Sequence, residues 1–258
     1  MELSKRRTQI LQMVNTNGRM RASELAKELN VTTETIRKDL LYLNDMGLLE
    51  KNFGGAIAIN ESNERPLAER KIENVAEKTA IARFALSYIA DNNVIFIDAG
   101  STLVAFAELL PSDLNLTIVT NSFEVIPYLL KTSSVVYFIG GEVSGITMST
   151  SGFWANQALD SIKIDAAFLG TSGFQSHSGP TSKQFTQAHI KQSIIKNSAK
   201  TIVLADHTKF VSNAVLQFAD WADIDLLITD SNTPDLLVQT LQKSVTVKVV
   251  PCESGEHE

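Results

Sequence analysis

Cysteine is nearly missing from this sequence. Cys252, near the end of the chain, is the single one in 258 residues, so no intrachain disulfide framework can form and a reducing compartment is expected. Long apolar runs are missing as well. No stretch approaches the roughly 18 apolar residues of a membrane span, and the opening MELSKRRTQI lacks the apolar centre of a secretory signal. A cytoplasmic protein without a membrane partner is therefore expected. The four histidines, His177, His189, His207 and His257, are scattered and form no metal-ligand or nucleophile spacing. The phosphate-loop pattern G-x-x-x-x-G-K-[ST] is absent, since GGEVSG has neither the lysine nor the following hydroxyl, which excludes a nucleotide switch of that type. Neither a cofactor nor a metal is expected, and no repeat of 20–50 residues is evident.

What is present is an ordinary globular balance, 44% apolar and 20% charged, with enough material for a substantial core. The charge is uneven along the chain. Residues 1–59 hold nine Lys/Arg and seven Asp/Glu, a net of +2, while the remainder carries a net of −8. Two modules with different partners are expected, the first suited to a polyanion.

SKRRTQILQMVNTNG has the spacing of a helix, with Ser4 as a cap, Ile10, Leu11 and Val14 on one face, and Asn17-Gly18 as the left-handed stop. In RASELAKELNVTTETIRKDLLYLNDMGLL, Ser23 can cap a short helix whose Leu25, Ala26 and Leu29 face inward. Asn30-Val31 then makes a tight turn and Thr32 caps a second helix with a buried Ile36, Leu40, Leu43 stripe. Helix, short turn, helix is the arrangement that places a second helix in the DNA major groove. Thr33, Glu34, Thr35, Arg37 and Lys38 project from that helix near its N-terminus, where hydroxyls and cations meet phosphates or base edges. Gly47 ends the helix, and LLEKNFGGAIAI alternates about a Gly54-Gly55 turn as a small wing carrying Lys51 and Asn52. The candidate DNA contacts are Arg6, Arg7, Ser23, Thr32, Thr33, Thr35, Arg37, Lys38, Lys51 and Asn52. A winged helix-turn-helix over 1–57 and a polar connector over 58–74, interrupted by Pro66, are expected.

Over 75–258 short apolar strands alternate with amphipathic helices, the pattern of an α/β domain with a mostly parallel sheet. Its polar residues gather where strands end: Asp98-Ala99-Gly100-Ser101-Thr102, Thr120-Asn121, Gly140-Gly141, Gly170-Thr171-Ser172 and Asp206-His207-Thr208-Lys209. In an open parallel sheet these ends share one edge, where ligands bind. Gly100, Ser101 and Thr102, opening a helix, offer N–H groups and hydroxyls to an anion. Asp98 and Asn121 suit sugar hydroxyls, and Lys191 and Lys209 can neutralise a phosphate. Ordinary polar loop residues are the plainer reading of any one of these, but the set converges on a phosphorylated polyol. The candidate effector contacts are Asp98, Gly100, Ser101, Thr102, Asn121, Gly140, Gly141, Gly170, Lys191, Asp206 and Lys209.

VTTETIRKDLLYLNDMGLL followed by GGA, then EKTAIA, IFIDAGST, VTNS, GGEV, FLGTSGF, ADHTKF and LITD in that order, resemble the DeoR family of bacterial transcription regulators from about residue 5 to 230. The resemblance implies a winged helix-turn-helix reader joined to a sugar-phosphate sensor whose fold is related to ribose-phosphate isomerases and glucosamine-phosphate deaminases. By motif it implies effector roles for Asp98, Gly100, Ser101, Thr102, Asn121, Gly140, Gly141, Lys191 and Lys209, and DNA contacts by Thr33, Thr35, Arg37 and Lys38. Three positions depart from the family's habit: Lys51 stands where arginine is frequent, Ser144 where a basic residue is frequent, and Gln187 where an acid is usual.

The expected function is a repressor of a carbohydrate-metabolism operon, a homodimer or homotetramer on double-stranded operator DNA, whose operator binding is modulated by a phosphorylated sugar or related metabolite. The alternative is an isomerase- or deaminase-like enzyme with a DNA-binding appendage. Asp98 and Asp206 are available for acid/base work, but the related enzymes' further catalytic Glu and His have no clear equivalents. Asp98 is thereby expected to recognise ligand rather than move a proton.

Overall fold

The computed structural model describes residues 5–45, 49–58 and 64–252. The chain divides into two compact units, 1–63 and 64–258. The connector expected over 58–74 is therefore shorter. From Glu64 onward the chain belongs to the second unit, and Leu67 is buried in that unit's core.

The first unit runs α1 (Lys5–Asn17), β1 (Arg19–Arg21), α2 (Ala22–Glu28), α3 (Thr33–Asp45), β2 (Leu49–Asn52) and β3 (Gly55–Ala58). Gly18, at φ +73°, reverses the chain out of α1, and Asn30, at φ 51°, supplies the turn between α2 and α3. Ile10, Val14, Leu25, Ile36, Leu40, Leu43 and Leu49 are fully buried against one another, the stripe spacing having set which faces meet. The three strands form an antiparallel sheet in the order β1-β3-β2.

Two local expectations change here. Ser23 does not cap α2. Pairing of β1 with β3 keeps the backbone extended through Arg21, so the helix starts at Ala22, and the Glu24 carboxylate accepts the Arg21 N–H at 2.8 Å. The wing turns at Phe53-Gly54 (Gly54 φ +95°), with Gly55 already in β3. Gly55 has to lack a side chain, because a Cβ there would lie 2.1 Å from the Met20 carbonyl oxygen. The expected cap Ser4 and stop Gly47 lie outside the described residues.

The second unit begins with α4 (Leu67–Lys71) and α5 (Val75–Ala85). It continues through β4 (Val94–Ile97), α6 (Ser101–Glu108), β5 (Thr117–Thr120), α7 (Ile126–Leu129), β6 (Val135–Phe138), β7 (Glu142–Ser144), β8 (Ser149–Ser151) and α8 (Phe153–Leu159). Next come β9 (Ala166–Leu169), β10 (Thr181–Ser182), α9 (Phe185–Lys196), β11 (Thr201–Leu204), β12 (Leu216–Gln217), β13 (Leu226–Asp230), α10 (Asp235–Leu241) and β14 (Val247–Val250). Seven strands form one all-parallel sheet, ordered β14-β13-β11-β9-β4-β5-β6. From β4 the chain first winds outward through β5 and β6, then returns to place β9 on the other side of β4. That reversal opens a crevice beyond the carboxyl ends of β4 and β9.

Alternation along the strands feeds two apolar layers. Ile95, Ile97, Phe168 and Ile118 pack against α5 and α6, with the Phe106 and Phe168 rings 4.4 Å apart, while Phe96, Val119, Ala167 and Leu169 face the layer of α8 and α9. α7 carries Pro127 in its first turn, where the missing N–H would have no helical partner. The polar, glycine-containing stretch after β6 forms the β7–β8 hairpin, and β10 and β12 form a second small antiparallel ladder. No described helix is long and apolar enough to cross a membrane.

Candidate functional site

In the first unit the recognition face follows from the buried stripe of α3. With Ile36, Asp39, Leu40 and Leu43 inside, Glu34, Arg37 and Lys38 are exposed and Thr33 and Thr35 partly so. Thr32 Oγ accepts the Thr35 N–H at 3.1 Å and pairs with the Thr35 hydroxyl at 2.8 Å. A cap of this kind contributes about 1 kcal/mol and fixes where the helix begins. Arg37 stands 3.5 Å from Glu34 on the exposed face, a solvent-screened pair that a phosphate can displace. Lys51 and Asn52 are exposed on β2, and the Lys51 N–H donates to Asn44 at 2.9 Å.

Arg6 and Arg7 do not join this face as expected. Their Nε atoms donate to the two oxygens of the buried Asp39 at 2.6 and 2.8 Å, and the Arg7 guanidinium lies 3.6 Å from the centre of the Tyr42 ring. Burial pushes the Asp39 carboxyl up, and the hydrogen bonds and charges of Arg6 and Arg7 more than offset this, holding it below its usual value. The two arginines tie α1 to α3.

In the second unit a polar pocket opens in the crevice at the strand reversal. The loop after β4 contributes Ala99 to Leu103, the loop after β9 contributes Gly170, Thr171 and Ser172, and α9 contributes Gln187 and Lys191. The first-turn N–H groups of α6, at Ser101, Thr102 and Leu103, have no partner within their helix and stand at the positive end of its dipole. Lys209 also lines the pocket and makes no ion pair among the described residues.

Asp98 and Lys191 pair with each other. Asp98 is fully buried. Its Oδ2 accepts the Gly170 N–H at 3.0 Å and a hydrogen bond from Lys191 Nζ, which also donates to the Gly170 carbonyl at 2.9 Å. The Lys191 charge is thereby paired within the lining itself, leaving Lys209 as the less committed cation. Asp98 Oδ1 is buried with no partner among the described residues.

Besides Asp98, four expected contacts stand outside the lining. Asn121 is buried and donates from Nδ2 to the Thr150 carbonyl at 2.9 Å. Gly140 and Gly141 carry the chain from β6 to β7, and a Cβ on Gly141 would lie 2.4 Å from the Ser151 carbonyl oxygen, so this glycine permits close packing of the hairpin. Asp206 accepts the Thr208 N–H at 3.0 Å and the Thr208 hydroxyl, holding the single turn that carries Lys209. These residues stand around the pocket; of the expected effector contacts, Gly100, Ser101, Thr102, Gly170, Lys191 and Lys209 line it.

Sequence reasoning missed part of the lining. Thr147 arrives on the turn of the β7–β8 hairpin, its hydroxyl 2.7 Å from that of Ser149, which also accepts Gln187 Nε2 at 3.0 Å. Gln187 thus fills its acidic position with a neutral donor, while Ser144 stays within the hairpin, accepting the Thr147 N–H at 3.3 Å. Ser182 comes from β10. Glu64 and Arg70, from the stretch read as connector, line the pocket too. Lys78, in the EKTAIA motif, is buried beside them and donates to the Arg70 and Glu73 carbonyls. Burial lowers its ammonium's pKa, partly countered by Asp206. Among the described residues no cluster of three or more His, Cys, Asp or Glu is placed to hold a metal ion.

Residues 6–62 match the DeoR-like helix-turn-helix domain and residues 73–231 the DeoR C terminal sensor domain. The chain belongs to the DeoR family. It is 34% identical to the HTH-type transcriptional regulator YulB of Bacillus subtilis (strain 168), over 97% of this chain and 98% of that one. It is 30% identical to the glycerol-3-phosphate regulon repressor of Escherichia coli (strain K12), over 93% and 96%. Among solved structures, ribose 5-phosphate isomerase A from Methanocaldococcus jannaschii aligns at 18% identity and a TM-score of 0.38, over 52% of this chain and 53% of that one. This DeoR protein is thus a DNA-binding transcriptional regulator with a sensor domain. Its pocket residues from Ala99 to Lys209 fall inside the sensor match, whereas Glu64 and Arg70 fall between the two matches.

Proposed function

We propose that the protein represses genes of carbohydrate metabolism and that a phosphorylated sugar or polyol in the crevice pocket lowers its affinity for operator DNA. The convergence of Lys209, Arg70 and the free first-turn N–H groups of α6 in one pocket walled by hydroxyls carries this reading. A phosphate monoester needs the cations and N–H donors, and a polyol needs Ser101, Thr102, Thr171, Ser172, Ser182 and Gln187. The E. coli relative is by name a glycerol-3-phosphate regulon repressor, which supports a small phosphorylated polyol as the ligand class. Thr33, Thr35, Arg37 and Lys38 enter the major groove, Lys51 and Asn52 flank it on the wing, and two or four copies in the cytoplasm grip paired half-sites.

Thermal shift of the full chain against a panel of sugar and polyol phosphates tests the ligand class, because native-state binding raises apparent stability. The compound that binds should weaken operator binding in a gel-shift titration, and operator should weaken its binding by the same factor. Equal effector affinity with and without operator would sink the coupling.

A further inference from the structure

Glu64 is the only carboxylate among the residues lining the pocket, and it faces a cation of the same wall. Its Oε1 lies 3.3 Å from Arg70 Nη2, and both side chains are largely withdrawn from solvent, at 11% and 23% exposure. Arg70 is held from behind: its Nε donates to the Arg65 carbonyl at 3.0 Å, and its own carbonyl accepts from the buried Lys78. The cation is thus fixed by backbone, while its carboxylate partner enters from the first described residue after 59–63.

An arriving phosphate dianion meets Lys209, Arg70 and the α6 N–H groups as attractions and Glu64 as the one like charge in the lining. The Glu64–Arg70 pair and a phosphate on Arg70 compete for the same guanidinium fork. We propose that Glu64 is a built-in substitute anion, pairing with Arg70 while the pocket is empty and displaced when the phosphate of the effector binds. This inference rests on the pocket being the effector site proposed above. It makes the pair a gate: ligands without a strong anionic group cannot open it, so phosphorylated polyols are selected over free ones.

Inorganic phosphate is the probe, titrated into the full chain at constant ionic strength and followed by thermal shift and calorimetry. Glu64→Gln keeps the shape and removes the charge, and should tighten phosphate binding roughly three- to tenfold, the range covered by a partly screened charge pair. Glu64→Asp keeps the charge and should stay near the parent affinity. Arg70→Gln should weaken phosphate binding and abolish the gain from Glu64→Gln when the two are combined. Equal or weaker binding by Glu64→Gln overturns the gate. If phosphate binds parent and Glu64→Gln alike and is lost in Lys209→Ala, the gate falls and the pocket assignment stands. If phosphate binds neither parent nor variants, both fall together.

Discussion

In the helix-turn-helix unit Arg37, Lys38 and Lys51 stand exposed on one helix face and one strand. In the sensor unit Asp98 and Lys191 are buried and joined across the ends of the sheet. Arg37, Lys38 and Lys51 need only a helix register and a hairpin to reach solvent. Asp98 and Lys191 are 93 residues apart and meet only because β4 and β9 are neighbours and α9 packs across their ends. The difference separates two kinds of recognition. A polyanion as large as DNA is met by mobile, screened charges whose worth depends on salt. A small ligand is met by groups held in place before it arrives.

The largest test of this contrast is Asp98→Ala. It strands the Lys191 ammonium in a buried site, so the sensor unit should lose about 3–5 kcal/mol in chemical denaturation. Operator binding by the other unit should persist while response to the effector disappears; a sensor of unchanged stability would show the pair to be dispensable. Ile36→Ala reverses the experiment. Emptying the core beneath the recognition face should cost the first unit about 2–5 kcal/mol and abolish operator binding, with phosphate binding intact by calorimetry.

A smaller change comes from the surface. Arg37→Ala should weaken operator binding by about 1–3 kcal/mol with relaxed preference at one base position, if Arg37 reads a base. Uniform weakening across operator variants, with a shallower salt slope, would assign it to phosphate. The smallest effect concerns Asp39. Its folded pKa is depressed below the ordinary carboxylate value near 4, so its stabilisation is present above that value and lost as pH falls through the folded pKa. Asp39→Asn should flatten this acid limb in thermal melts of the first unit; an unchanged limb would place the acid sensitivity elsewhere.

The first unit was largely legible because its rules are local. The Ile36, Leu40, Leu43 spacing, the Asn30 turn and the Thr32 cap act within a few residues, and all three stand as expected. Ser23 failed as a cap because β1 pairs with β3, a contact 34 to 38 residues away in the chain. Arg6 and Arg7 are not unpaired cations, because Asp39, 33 and 32 residues on, lies buried beside them. In the sensor, strand ends marked the right edge of the sheet but not which polar residues face the crevice. Asp98, Asn121 and Asp206 turned out to hold the walls, while Thr147 and Arg70 reached the lining on elements read as polar loop and connector.

By itself the sequence determined the helix-turn-helix and the alternation of strands and helices in the sensor, the exposed face of α3 and the sheet edge that carries the pocket. These follow from periodicity, caps and strand ends, which act over a few residues. Only the tertiary structure decided which charges are available. Whether Lys191, Arg7 or Arg70 is free or already paired depends on a carboxylate delivered by another element, and no local pattern encodes that meeting.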